Sequence, residues 1–188
     1  MRAYFILENV KGKTLDVGYA CGTLHERIMK KVGKKNCFGI DTEEEIKDEM
    51  HKKASAEKIP FKDNFFECIV AGELIEHLKK PRLFLEESAR VLKKGGRIII
   101  TTPNKDSLIN RIFHSYEAPL HISLFNKKSL KEALEKKGFK IIEWKFFPFT
   151  EESNYGSRNK WSFKLRKLIH KILPDSLRED MGVIAEKI

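Results

Sequence analysis

The stretch LDVGYACG, residues 15–22, sets Gly18, Ala20 and Gly22 at every second position, just where a short apolar strand should end. Glycine at such a turn admits torsions and a close approach that a side chain would block, so the main chain there is open to a ligand. Asp41 closes the next strand-like run, CFGID, where a carboxylate can accept hydrogen bonds from both hydroxyls of a ribose. Turn and carboxylate together describe a nucleotide or nucleoside pocket. The spacing then chooses between ligands. A dinucleotide turn reads G-x-G-x-x-G, whereas G-Y-A-C-G brings the last glycine one position early, which disfavours NAD and leaves a nucleoside with a small charged tail. The plainer alternative is that the glycines only make the turn and that Asp41, followed by Thr42, caps a helix.

These residues need strands that end on one edge, and the chain supplies them. Runs at 13–18, 37–41, 67–73 and 97–103 are apolar on both faces, as strands covered on both sides are, and a further short strand is expected around Ser55. Between them Leu24, Ile28, Met29 and Val32 share a helical face ended by Gly33, and Pro81 opens a second helix expected to run to Lys93, stopped by Gly95 and Gly96. Strand and helix in alternation imply parallel pairing with right-handed crossovers, hence a doubly wound, Rossmann-like α/β sheet. Later, Asn126 is placed to cap a helix stapled by Phe125 and Leu130 and closed by Gly138; residues 139–147 and 182–187 read as two more strands. The long connection 104–122 has the length of a functional loop. In 157–173 an apolar stripe (Trp161, Leu165, Leu168, Ile172) runs beside a basic one (Lys160, Lys164, Lys167, Lys171), which fits a surface helix, a lid, or a docking element for an anionic partner.

Composition narrows the setting. The chain has 188 residues, 41% of them hydrophobic, the size of a single domain spanning 1–188. Its formal charge is +10, which welcomes anionic partners, nucleic acid included, but 34% charged residues rich in Lys and Glu equally suit heat-adapted ion-pair networks. Three cysteines without a CxxC pair suggest neither a disulfide framework nor a zinc site, so no metal is expected and a reducing cytoplasm fits. The apolar run 3–7 is too short for a signal-peptide core, and no run of about 18 apolar residues marks a membrane span.

LDVGYACG, FGID, AEKIPFKDNFFECIVAGELIEHL, RVLKKGGRIIITTPN and HISLFNKKSLKEALEKKGF resemble, in this order, the successive motifs of class I S-adenosylmethionine-dependent methyltransferases, in particular the small-molecule, ubiquinone-biosynthesis-like branch. The resemblance spans about 13–147. It implies a seven-stranded sheet, mostly parallel, whose last strand inserts antiparallel beside the fifth. It implies S-adenosylmethionine as cofactor, with Asp16 and the backbone of Gly18, Tyr19, Ala20 and Gly22 around the methionine moiety. Asp41 with Thr42 would lie at the ribose, Ser55 and Ala56 beside the adenine, and Ala71, Gly72 and Glu73 beneath the sulfonium. Three departures stand out: Ala20 replaces the middle glycine, Ser55 an adenine-binding Asp, and Glu67 an Asp before the fourth strand.

Methyl transfer from a sulfonium is an in-line displacement in which the protein mainly aligns the nucleophile and excludes water. A base is needed only when the nucleophile arrives protonated; His121, His77 and His114 are the candidates, since imidazole changes protonation near neutral pH. His77 can equally brace the loop after the fourth strand, and Tyr19 can cross the cofactor or merely fill space between turn and helix. The segments 104–122 and 148–180 are the expected substrate cover. A small-molecule acceptor leads; an RNA or protein acceptor, or a cofactor-binding protein without turnover, are the alternatives.

Overall fold

Alternation along the central strands decides which side of the sheet each residue feeds. The computed structural model describes residues 1–19, 23–43, 48–112, 121–147, 168–169 and 172–188. In β4 (Phe66–Gly72), Ile69 and Ala71 join one buried cluster while Cys68 and Val70 join another. In β5 (Leu92–Pro103), Ile98 and Ile100 oppose Ile99 in the same way. Both faces therefore need cover. α1 (Arg2–Asn9) and α2 (Leu24–Val32) lay Phe5, Ile6 and Ile28 on the Cys68 side. α3 (Pro81–Val91) and α5 (Lys127–Glu135) lay Phe84, Leu85, Leu130 and Leu134 on the other. Each such fully buried side chain contributes about 1.5–3 kcal/mol.

The sheet has seven strands in the order β3-β2-β1-β4-β5-β7-β6, completed by β1 (Thr14–Val17), β2 (Cys37–Asp41), β3 (His51–Lys53), β6 (Phe139–Phe147) and β7 (Asp180–Lys187). β1 to β5 pair in parallel, and β7 runs antiparallel to both β5 and β6. This is the doubly wound, mostly parallel sheet with an antiparallel last strand that the sequence led us to expect. Because the order reverses between β1 and β4, the loops leaving those strands diverge and open a crevice at the carboxyl edge.

Three local expectations change. The third strand is His51–Lys53, not around Ser55, because Asp41 pairs with Lys53 and the chain turns away at once. α3 ends at Val91, before the glycines: Leu92 is already extended, and the amides of Asn64 and Phe65 take the carbonyls of Arg90 and Val91. Gly95, at φ +75°, instead bends β5 near its start. The run 3–7, too short for a signal core, is the middle of α1. The predicted cap of α5 is present: Asn126 Oδ1 accepts from the Ser129 amide (2.8 Å) and Ser129 Oγ from the Asn126 amide (3.0 Å). The 310 segment Ile75–His77 follows β4, and α4 (Leu108–Ile112) opens the long connection. Among the described residues no helix is long and apolar enough to cross a membrane.

Candidate active site

The parallel strands deliver their ends to one edge. Gly18 leaves β1 at φ +78°, its amide held by the Ile40 carbonyl at 2.8 Å, and a Cβ there would come within 2.9 Å of Leu74 Cδ1 from the loop after β4. The two loops thus meet across the crevice, and glycine is required both for its torsion and for the space. Asp41 ends β2 half-buried, with Oδ1 accepting the Glu43 amide at 2.9 Å, the local turn-forming bond of an Asp at a strand end. Thr42 and Ser55 are exposed, Ala56 is buried, and Ser55 Oγ accepts the Glu57 amide at 3.1 Å. Ala20, Cys21, Gly22 and His114 lie outside the described residues, as does most of 157–173.

Asp16 points into the protein. Its Oδ2 lies 3.1 Å from His25 Nδ1, His25 Nε2 lies 2.9 Å from His51 Nε2, and His51 Nδ1 lies 2.8 Å from Asp48 Oδ1. Asp16, His25, His51 and Asp48 thus form one continuous row of side-chain contacts at hydrogen-bond distance. Burial pushes the Asp16 carboxyl upward, and the bond to His25 pulls against it. Tyr19 closes the assembly, its ring centroid 4.6 Å from that of His25 and 5.4 Å from that of His51, over Gly39, where a Cβ would approach the Tyr19 ring to 2.7 Å. Tyr19 packs on both imidazoles between the turn and α2. Sequence reasoning missed His25 and His51; the signal was their type, a ring nitrogen on each side of a buried strand end.

The other side of the crevice is acidic and imidazole-rich. Ala71 is fully buried, and Gly72 and Glu73 are half-buried at the end of β4. Glu73 stands at φ +51°, a strained conformation for a residue with a side chain, held by its amide on the Thr101 carbonyl at 2.9 Å. Arg2 Nη1 bridges Glu73 Oε2 (3.0 Å) and Asp180 Oδ2 (2.9 Å), stapling α1 to the ends of β4 and β7. Glu76, 1% exposed, takes the Thr102 hydroxyl on Oε2 at 2.9 Å. Desolvation raises the carboxyls of both Glu73 and Glu76, with Arg2 pulling each back.

His77 and His121 meet here although they are far apart in sequence. The amides of Ile122 and Ser123 donate to the Glu76 carbonyl (2.8 and 2.9 Å), Ser123 Oγ donates to the Leu78 carbonyl (2.8 Å), and the two imidazole centroids sit 5.0 Å apart. Burial, then proximity to His77, lowers the His121 pKa. From His121 a cleft of about 570 Å³ runs between α3 and α5, lined by Arg82, Leu85, Lys105, Phe125, Glu132 and Lys136 among others. Its size suits a small ligand, and three cations against one acid suit an anionic one. Cys37 and Cys68, by contrast, are fully buried, and desolvation pushes both thiols up to about 12.

With this geometry in view, a model of the methyltransferase-domain family matches residues 2–143. An uncharacterized protein of Methanocaldococcus jannaschii is 30% identical over 146 residues, covering 71% of this chain and 67% of its own. A ubiquinone/menaquinone biosynthesis C-methyltransferase of a Ruegeria species is 29% identical over 102 residues, covering 47% of this chain; the match spans only 41% of that enzyme's length. Among solved structures, a putative methyltransferase from Bacillus halodurans superposes with a TM-score of 0.68 at 20% identity, over 99% of this chain and 97% of its own, which speaks for the fold.

Proposed function

The chain belongs to the S-adenosylmethionine-dependent methyltransferase-domain family, and on that footing we propose that it methylates a small-molecule acceptor lodged in the cleft between α3 and α5. The observation that carries the reading is the placement of that cleft: it begins at His121, beside the carboxyl end of β4 where the methyl donor's reactive end would face. The Ruegeria relative is named a ubiquinone/menaquinone biosynthesis C-methyltransferase, a name that supports a small-molecule acceptor here.

The described part of the cradle fits the cofactor. Gly18 keeps the crevice clear where a Cβ would close it, and Asp41 stands at the end of β2 with a half-exposed carboxylate, the chemistry a ribose diol needs. S-adenosylmethionine supplies a methyl group on a sulfonium, already a good leaving group. The chain's residues are left to bind, orient and dry. Gly72 and Glu73 form the floor, Arg2 holds the Glu73 carboxylate in place, and α1 closes the edge beside them. Segments 104–122 and 148–180 we assign to substrate cover within one domain, working in a reducing cytoplasm. His121, His77 and His114 we keep as proton acceptors for an acceptor that arrives protonated.

Incubation with methyl-labelled cofactor and separate pools of anionic small molecules, RNA and protein tests the reading. Label is expected in the small-molecule pool, with Arg82→Ala raising KM more than it lowers kcat. Label confined to RNA, with binding that weakens steeply as salt rises, would replace the acceptor class. Cofactor binding without transfer to any pool would leave a regulatory protein.

A further inference from the structure

We propose that Glu76, His77 and His121 form a binding site for one divalent transition ion at the inner end of the α3–α5 cleft. One ligand atom from each of the three side chains lies within 4.8 Å of the other two. Coordination at about 2.0–2.1 Å would draw them closer by a further ångström or so, within reach of small side-chain rotations.

Two independent observations point to a ligand. His121 Nδ1 is buried and has no hydrogen-bond partner, an arrangement that costs free energy unless something occupies it. Glu76 is 1% exposed, and among the described residues no cationic side chain pairs with it directly: Arg2, which draws its carboxyl down from a distance, is bonded to Glu73 and Asp180 instead, so the buried carboxylate has room for a directly bound cation. The surroundings are built to hold such a set. Thr102 orients the Glu76 carboxylate from behind at 2.9 Å, as supporting hydrogen bonds do around metal ligands. The backbone bonds from Ile122 and Ser123 to the Glu76 carbonyl fix the two histidine-bearing segments together without using either imidazole.

Two imidazoles and one carboxylate favour the borderline ions, Zn²⁺, Co²⁺ or Fe²⁺, over Mg²⁺, which prefers oxygen throughout. Three protein ligands leave coordination positions open, and the adjoining cleft with Arg82, Lys105 and Lys136 would present an oxygen-bearing anionic molecule to them. An imidazole engaged in coordination does not serve as a base. The cation site and the base role therefore exclude each other at His77 and His121.

Cobalt decides the matter. The purified full chain, stripped with EDTA and dialysed, is titrated with CoCl₂ and followed by visible absorption and by calorimetry. The site predicts one saturating equivalent with visible ligand-field bands. It further predicts at least a ten-fold loss of affinity in His121→Ala, His77→Ala and Glu76→Gln, and weak competition by MgCl₂. Circular dichroism melting in EDTA checks that each variant folds, with His121→Asn and His77→Asn replacing any alanine variant that does not. Absence of saturable binding, or binding unchanged in the histidine variants, overturns the proposal. Cofactor calorimetry in EDTA tests the methyltransferase reading separately, so either can fail alone.

Discussion

The two walls of the crevice solve the same problem, polar groups at the end of a buried strand, in opposite ways. On the β1–β2 side every member of the Asp16–His25–His51–Asp48 chain has its partner inside the protein, and Tyr19 seals the rings. On the β4 side two polar groups are less completely met: His121 Nδ1 has no hydrogen-bond partner, and the Glu76 carboxylate takes the Thr102 hydroxyl but feels Arg2 only from a distance. A wall whose hydrogen bonds close on themselves can shape a pocket with its backbone, the part the proposed function gives to Gly18. A wall with unmet demands is where a ligand or ion gains most by arriving. Under the proposed function the first wall is scaffold for the cofactor and the second is the reacting side.

Removing a member of the closed chain should therefore cost the most stability. His25→Ala strands a buried carboxylate, and urea unfolding should show a loss of about 3 kcal/mol. His51→Ala breaks the chain nearer the surface, where Asp48 is half-exposed, and should cost nearer 1 kcal/mol. If His121→Ala cost as much as His25→Ala, the contrast between the walls would fail. Next in size, Asp41→Ala should weaken S-adenosylmethionine binding about ten- to a hundred-fold by calorimetry, since hydrogen bonds to a charged group are worth about 1.5–3 kcal/mol. Its melting temperature should hardly move. Smaller still, Arg2→Gln loosens the bridge to half-buried Glu73 and buried Asp180, and should cost about 1 kcal/mol while raising the acceptor KM.

The difference between the walls also explains what could be read from sequence. The β1–β2 wall was legible because its signals are local: a glycine after an apolar strand and an acid after the next, while parallel pairing follows from alternation of strand and helix. His25 and His51 escaped because their contact depends on strand pairing, Gly39 beside His51, that no local pattern announces. The β4 wall was half legible. His77 and His121 were named by residue type, but that they meet, with Glu76 between, depends on two backbone bonds across a long connection. α1 was overlooked because eight residues with two buried side chains are marginal as an isolated helix; packing on β5 and the Arg2 staple make it one.

The smallest expected effect lies behind the closed wall. Cys37 and Cys68 sit on the α1–α2 face, 0% exposed, with thiols pushed from 9.0 up to about 12 by desolvation. A raised folded-state pKa means that the neutral thiols contribute their full stability below about pH 9, and that this is lost as pH climbs through 12. At pH 8.5 the folded protein should hold almost no thiolate at either position, so iodoacetamide should leave both unmodified over hours by mass spectrometry. In urea both should react. Rapid labelling of Cys37 without denaturant would mean that the wall around His25, whose Nε2 lies 3.8 Å from the Cys37 sulfur, opens on its own, and that the scaffold is less closed than its hydrogen bonds imply.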